Sequence, residues 1–175
     1  MAKTTFAGPV YSKSGFITTG PANTISLTAD TTLTVATHAG KILLTNDADG
    51  KFTLPTINVT ADSGVAGPGP SFDNLNNIGA TFNFYVETAA TDMDILTDGT
   101  DRFVGAILVG VDTNAPKGFF PGGSDDVITM NGGTKGGIAG SIVSITAIDD
   151  DAYLVHNSLL KGSSTIVTPF ATSLT

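Results

Sequence analysis

The chain predicts an all-β protein, sandwich- or barrel-like, with an extended N-terminal arm and long Gly/Pro-rich loops. Three observations carry that expectation. The first is vocabulary: Glu87 is the sole Glu and Arg102 the sole Arg, while Thr, Val, Ile, Gly, Asp and Asn are plentiful. Strong helix formers are therefore scarce and strand formers common. The second is grammar, since short Thr-rich apolar runs alternate with Asp/Asn/Gly turns along most of the chain. The third is the 21 Gly and 8 Pro among 175 residues, which place tight turns or irregular loops at many connections. A β-tulip fits the same pattern as well as a sandwich or a barrel.

Residues 1–23 form the arm. Gly8-Pro9, Gly15 and Gly20-Pro21 interrupt it every few residues, leaving Phe6, Val10, Tyr11, Phe16 and Ile17 as apolar anchors. Residues 24–175 form one β domain, with 62–80 as its only plausible seam. Thr24–Thr37 alternates, with Leu33 and Val35 on one face and Thr32 and Thr34 on the other, as in a half-buried strand. Ala39–Pro55 predicts a hairpin of Lys41–Thr45 and Lys51–Leu54 around Asn46-Asp47-Ala48-Asp49-Gly50, residues whose side chains and φ freedom suit turns. Pro55, lacking an N–H, closes its second strand.

The run Ala66-Gly67-Pro68-Gly69-Pro70 excludes regular structure, and Ser71–Ile78 has room for one helical turn. Thr81–Glu87 is the clearest strand, with Phe82, Phe84 and Val86 facing one way and Asn83, Tyr85 and Glu87 the other. Asp92–Leu96 and Phe103–Val109 read as a further pair, and Asp112–Asp126 as a loop around Phe119-Phe120. Val127–Asn131, Gly140–Ile148 and Ala152–His156 add three strands, and Thr165–Phe170 an edge strand. That makes roughly eight to ten strands at the spacing of a sandwich or barrel. Neither a repeat of about 33 or 40 residues nor a heptad run stands out.

Composition bounds the function. The formal charge is −8, from 16 acidic and 8 basic residues, and such a surface repels phosphate backbones, so no nucleic-acid partner is expected. No apolar run approaches the roughly 18 residues of a membrane helix, so no membrane partner is expected either. There are no cysteines, which excludes disulfides, thiolate metal sites and Cys nucleophiles. The opening lacks the apolar core of a secretory signal, so cytoplasmic synthesis without that export route is the expectation.

Reactive constellations are thin. A Ser/His/Asp hydrolase needs a histidine near a nucleophile on a strained elbow, yet only His38 and His156 exist and no G-x-S-x-G occurs. Asp47, Asp49 and Gly50 resemble the start of a calcium loop but lack the closing Glu and the flanking helices. Among the acidic turns Asp149, Asp150 and Asp151 are the foremost candidates for a hard cation, because three adjacent like charges repel without a counter-ion. Solvated acidic turns are the plainer reading. A glycosidase carboxylate pair normally works beside aromatic platforms, and this chain has no Trp and three Tyr. Gly132-Gly133-Thr134-Lys135-Gly136-Gly137 departs from the phosphate-loop pattern, and no helix follows it. The reading therefore assigns no catalytic residue and no cofactor.

The opening Ala2-Lys3-Thr4-Thr5-Phe6-Ala7-Gly8-Pro9-Val10 with Ser14-Gly15-Phe16 resembles the start of small virion proteins of tailed, particularly marine, bacteriophages. Gly40-Lys41-Ile42-Leu43-Leu44 with Phe52-Thr53-Leu54-Pro55, and the ending Thr168-Pro169-Phe170, resemble segments of the same proteins; together these cover about a third of the chain. The resemblance implies a capsid decoration (cement) protein on the virion's outer surface, made in the host cytoplasm. Its implied partners are the major capsid protein and two further copies of itself in a homotrimer. An arm of this kind can add a strand to an exposed sheet edge, and Phe6, Val10, Tyr11, Phe16 and Ile17 are the expected partner-binding residues. The alternative is a head-fibre, tail or adhesin-type module that binds host-surface glycans through 62–80 and 112–126. A small β-scaffold enzyme using the Asp turns is the third.

Overall fold

The structure is a computed structural model that describes residues 23–59, 76–112, 114–163, 165–172 and 174. The arm, its five anchors and most of the 62–80 seam lie outside the described residues.

Fourteen elements follow one another among them. First come β1 (Thr24–Leu27), β2 (Thr31–Thr32), a single helical turn α1 (Val35–His38), β3 (Ile42–Thr45) and β4 (Lys51–Thr53). Next are β5 (Thr81–Val86), β6 (Met93–Leu96), β7 (Arg102–Gly105), β8 (Ile107–Val111) and β9 (Asn114–Phe119). The last are β10 (Val127–Met130), β11 (Ile142–Asp149), β12 (Ala152–Lys161) and β13 (Phe170–Ala171). They make two mixed sheets. The larger runs β1-β3-β5-β11-β12-β8-β9, with β7 also paired to β12, and the smaller runs β13-β10-β6-β4-β2. The all-β expectation holds, and the arrangement is that of a sandwich.

The first six strands alternate between the sheets. β1, β3 and β5 lie parallel in the larger sheet, with Ile25, Leu43 and Phe84 in one row. β2, β4 and β6 lie parallel in the smaller, with Thr31, Phe52 and Ile95 in another. The chain thus winds three times around a shared core.

This overturns the predicted hairpin, since β3 and β4 belong to different sheets. Asn46–Gly50 crosses from one sheet to the other, and its polar groups bond the turns above and below. Asn46 N–H donates to Leu27 O at 2.8 Å and Thr91 N–H to Ala48 O at 2.7 Å. The Asn46 amide donates to Ser26 Oγ at 2.7 Å and to Glu87 Oε2 at 2.5 Å. Burial explains the choice: Leu43, Thr45, Phe52 and Leu54 are all at most 1% exposed, a demand that two facing sheets meet and a lone hairpin does not.

Three other expectations change. Thr24–Thr37 is not one strand but β1, β2 and α1, with Leu33 buried and Val35 partly so. β6 and β7 do not pair, because β6 joins the smaller sheet and β7 the larger. Asp112–Asp126 is not all loop, since β9 forms within it, antiparallel to β8 at the sheet edge where Pro116 removes no ladder bond from a central strand.

The core lies between the sheets and is one contiguous cluster. Phe52 and Phe84 meet across it with ring centroids 6.4 Å apart, and Phe103 and Phe170 do so at 6.5 Å. Tyr153 is fully buried and donates from its hydroxyl to Pro55 O at 2.5 Å, pinning the chain after β4.

Candidate functional site

The sequence-derived acidic candidates do not converge. Asp149 ends β11 and Asp150 and Asp151 form the turn to β12, where Asp149 Oδ1 accepts the Asp150 N–H at 2.9 Å. Asp151 faces Arg102, with Nε 3.2 Å from Oδ2. Among the described residues no three His, Asp or Glu side chains gather in a way that could hold a metal ion. The histidines serve local structure. His38 Nδ1 accepts the Thr34 N–H at 2.9 Å within α1, and His156 Nε2 lies 2.8 Å from Thr146 Oγ1.

Two buried carboxyls have unusual surroundings. Asp101 is 4% exposed; burial raises its pKa, while the Ile57 N–H, donated at 2.9 Å, partly offsets that. The same burial, with Asp101 and Asp98 nearby, pushes the Tyr153 hydroxyl far up. These groups clamp the chain after β4 through Ile57 N–H and Pro55 O. Asp94 is 2% exposed; burial raises its pKa, and the Thr129 hydroxyl opposite it on β10 offsets this only in part. Neither Asp94 Oδ1 nor Thr129 Oγ1 has a partner in hydrogen-bond geometry.

Depressions on the surface of the described residues include two shallow ones. One, of about 290 Å³, is lined by Arg102–Gly105 and Phe120–Gly123. The other, of about 320 Å³, is lined by Asp30, Lys51, Thr53, Leu96 and their neighbours. The second holds Thr31, Thr32 and Thr53 beside Asp30 and Lys51, but Thr31 Oγ1 donates to Ala29 O at 2.7 Å and Asp30 Oδ1 accepts the Lys51 N–H at 2.9 Å.

The outer face of the larger sheet is different in kind. Leu44 pairs with Tyr85, Tyr85 with Ile142, Ile142 with Leu159, and Leu159 with Leu108. One cross-strand row of bulky apolar side chains therefore crosses five strands, roughly 19 Å at the usual strand spacing. Four of its members are exposed: Tyr85 at 39%, Ile142 at 40%, Leu108 at 42% and Leu159 at 48%. Ile42, beside Leu44 on β3, is 48% exposed.

A bulge in β12 completes the row. His156 pairs with Ser144 and Leu159 with Ile142, so Asn157 and Ser158 oppose the single residue Val143, one extra residue, and Asn157 takes a left-handed φ of 44°. That shift turns Leu159 outward and sends Leu160, fully buried, into the core.

The flanking positions are polar and already paired. Ser144 Oγ donates to Asn83 Oδ1 at 2.9 Å, and the Thr81 and Thr146 hydroxyls are 2.7 Å apart. Rows of this sort suit adhesion, since they offer apolar area beside satisfied polar groups.

The sequence reading missed the row. Tyr85 was placed opposite the core face, but its alignment with Ile142, Leu159 and Leu108 depends on register between distant strands. The signal available in the sequence was a bulky apolar residue on the polar face of a clear strand, Tyr85 beside Thr81 and Asn83. Comparison with known protein families, curated proteins and solved structures gives no match.

Proposed function

We propose that the chain is a capsid decoration protein, which binds the outside of a phage major capsid protein shell and stabilises it. In this reading it acts as a homotrimer with its N-terminal arm docked on the shell, and it makes or breaks no covalent bond. The observation that carries the reading is the body itself: a two-sheet sandwich closed on one contiguous core. A protein that reinforces a shell needs a stiff body, and two sheets packed on one core support that reading. The resemblance of Ala2–Val10, Gly40–Leu44 and Phe52–Pro55 to phage virion proteins supplies the setting.

Deleting residues 2–16 tests it. The shortened chain keeps its circular dichroism spectrum and loses occupancy on purified particles. Unchanged occupancy refutes the docking role of Phe6, Val10, Tyr11 and Phe16. The second reading, a glycan-binding module, draws on Phe120, which is 76% exposed at the rim of the depression beside Arg102. Capture of the isolated chain on a glycan array favours that reading over the first.

A further inference from the structure

We propose that the outer face of the larger sheet is where copies of this chain meet, with Tyr85, Leu108, Ile142 and Leu159 at the centre of the contact. The inference rests on the self-association in the reading above but pairs the copies two-fold, because one face meeting its own copy makes a dimer and not a trimer; it is independent of shell binding.

Charge selects the occupant. The chain carries a net charge of −8, so two copies repel wherever their acidic turns approach. The apolar row and the two rows beside it contain no Asp, Glu, Lys or Arg: Ile42, Asn83, Ser144 and His156 form one, and Thr81, Thr146 and Leu154 the other. At the opposite margin Glu87 and Lys161 follow Tyr85 and Leu159 on their strands and oppose each other in sign. A cationic partner finds no anchor on such a face, whereas a second acidic copy can approach it without repulsion.

Area agrees. Residues of this size expose about 200 Å² when free, so five of them at 39–48% leave roughly 450 Å² of apolar-residue surface, within the range of about 300–600 Å² of the largest, often functional, patch on a monomer. Two copies face to face bury about 900 Å² from these residues alone. With the flanking polar rows they clear the roughly 1,000 Å² expected of a specific contact. The β12 bulge supports the same conclusion, because without it Leu159 would face the core and the row would be broken.

The test is the mass of the full chain by sedimentation velocity over a range of concentrations. Wild-type protein sediments as an oligomer. Leu159→Lys and, separately, Ile142→Lys weaken association by roughly a hundredfold or more, since like charges then face each other across a dry contact. Phe120→Ser, exposed but off the row, leaves the mass unchanged. Melting temperature and circular dichroism report whether each variant folds, and Tyr85→Ser gives a milder perturbation if a lysine does not. A wild-type monomer at every concentration overturns the proposal, and that outcome includes a chain whose own residues 1–22 cover the row. So does a folded lysine variant that associates like wild type. Loss or retention of particle occupancy on deleting residues 2–16 bears on shell docking alone, so the two readings fail separately.

Discussion

Replacing Asp94 by Asn should stabilise the protein at neutral pH. Asp94 sits on β6, 2% exposed, and its Oδ1 has no hydrogen-bond partner. Thr129 pairs with it in register on β10, and the Thr129 Oγ1 is likewise unpartnered. A buried polar group left unpaired costs about 1–3 kcal/mol, and a charged one more. An amide carries no charge and offers the Thr129 hydroxyl a donor, so a gain of about 1–2 kcal/mol is expected, offset slightly where the amide's second hydrogen lacks an acceptor. For a domain of this size that corresponds to about 3–6 °C in melting temperature.

The pH dependence follows from the direction of the shift. Burial raises the pKa of Asp94 above its ordinary 3.8, so the folded state holds the proton more tightly than the unfolded state. Its favourable contribution is full below pH 3.8 and is lost as pH rises through the folded value. The advantage of Asn over Asp is therefore large at pH 7 and small near pH 3.5. Thermal melts of both proteins at the two pH values measure it. A variant less stable than wild type at pH 7, or a difference that does not change with pH, would refute the account of a strained carboxyl.

Two further perturbations test the packing, one in the winding of the first six strands and one at the turn between β10 and β11. Leu43→Ala removes a fully buried side chain stacked between Ile25 and Phe84, and should cost about 2–5 kcal/mol in chemical denaturation; a loss under 1 kcal/mol would mean that the row does not pack. Gly137→Ala should be far worse than Gly40→Ala. Both glycines have left-handed φ, at 96° and 73°, but a Cβ on Gly137 meets Met130 Cβ at 2.6 Å and Ala90 Cβ at 2.9 Å, while one on Gly40 meets nothing within 4 Å. The expected losses are about 1 kcal/mol at Gly40, from backbone strain, and about 3 kcal/mol or more at Gly137, where overpacking adds to it. Equal melting temperatures for the two variants would contradict the packing around Gly137.

The sequence by itself determined the class of this protein and several of its strands. Scarce helix formers and period-two alternation suffice for that, since both act through neighbouring residues. Phe82, Phe84 and Val86 were legible as a core face because alternation alone sorts them, and all three are buried. The turn Asn46–Gly50 was equally legible as a turn. What it joins was not, because the same residues serve a hairpin or a crossing between sheets. Only the tertiary structure decided that, by burying Leu43 and Phe52 in facing sheets and tying Asn46 to Ser26 and Glu87 in the turns above and below. Unequal connections hide the winding from any repeat search: Thr24, Ile42 and Asn83 stack in register although very different lengths of chain separate them. The outer apolar row was out of reach for the same reason. Leu44, Tyr85, Ile142, Leu159 and Leu108 come from five strands scattered through the chain, and a single bulge in β12 sets the register that aligns Leu159 with the rest. Local preference chooses strands, but long-range pairing chooses neighbours, and a binding face is made of neighbours.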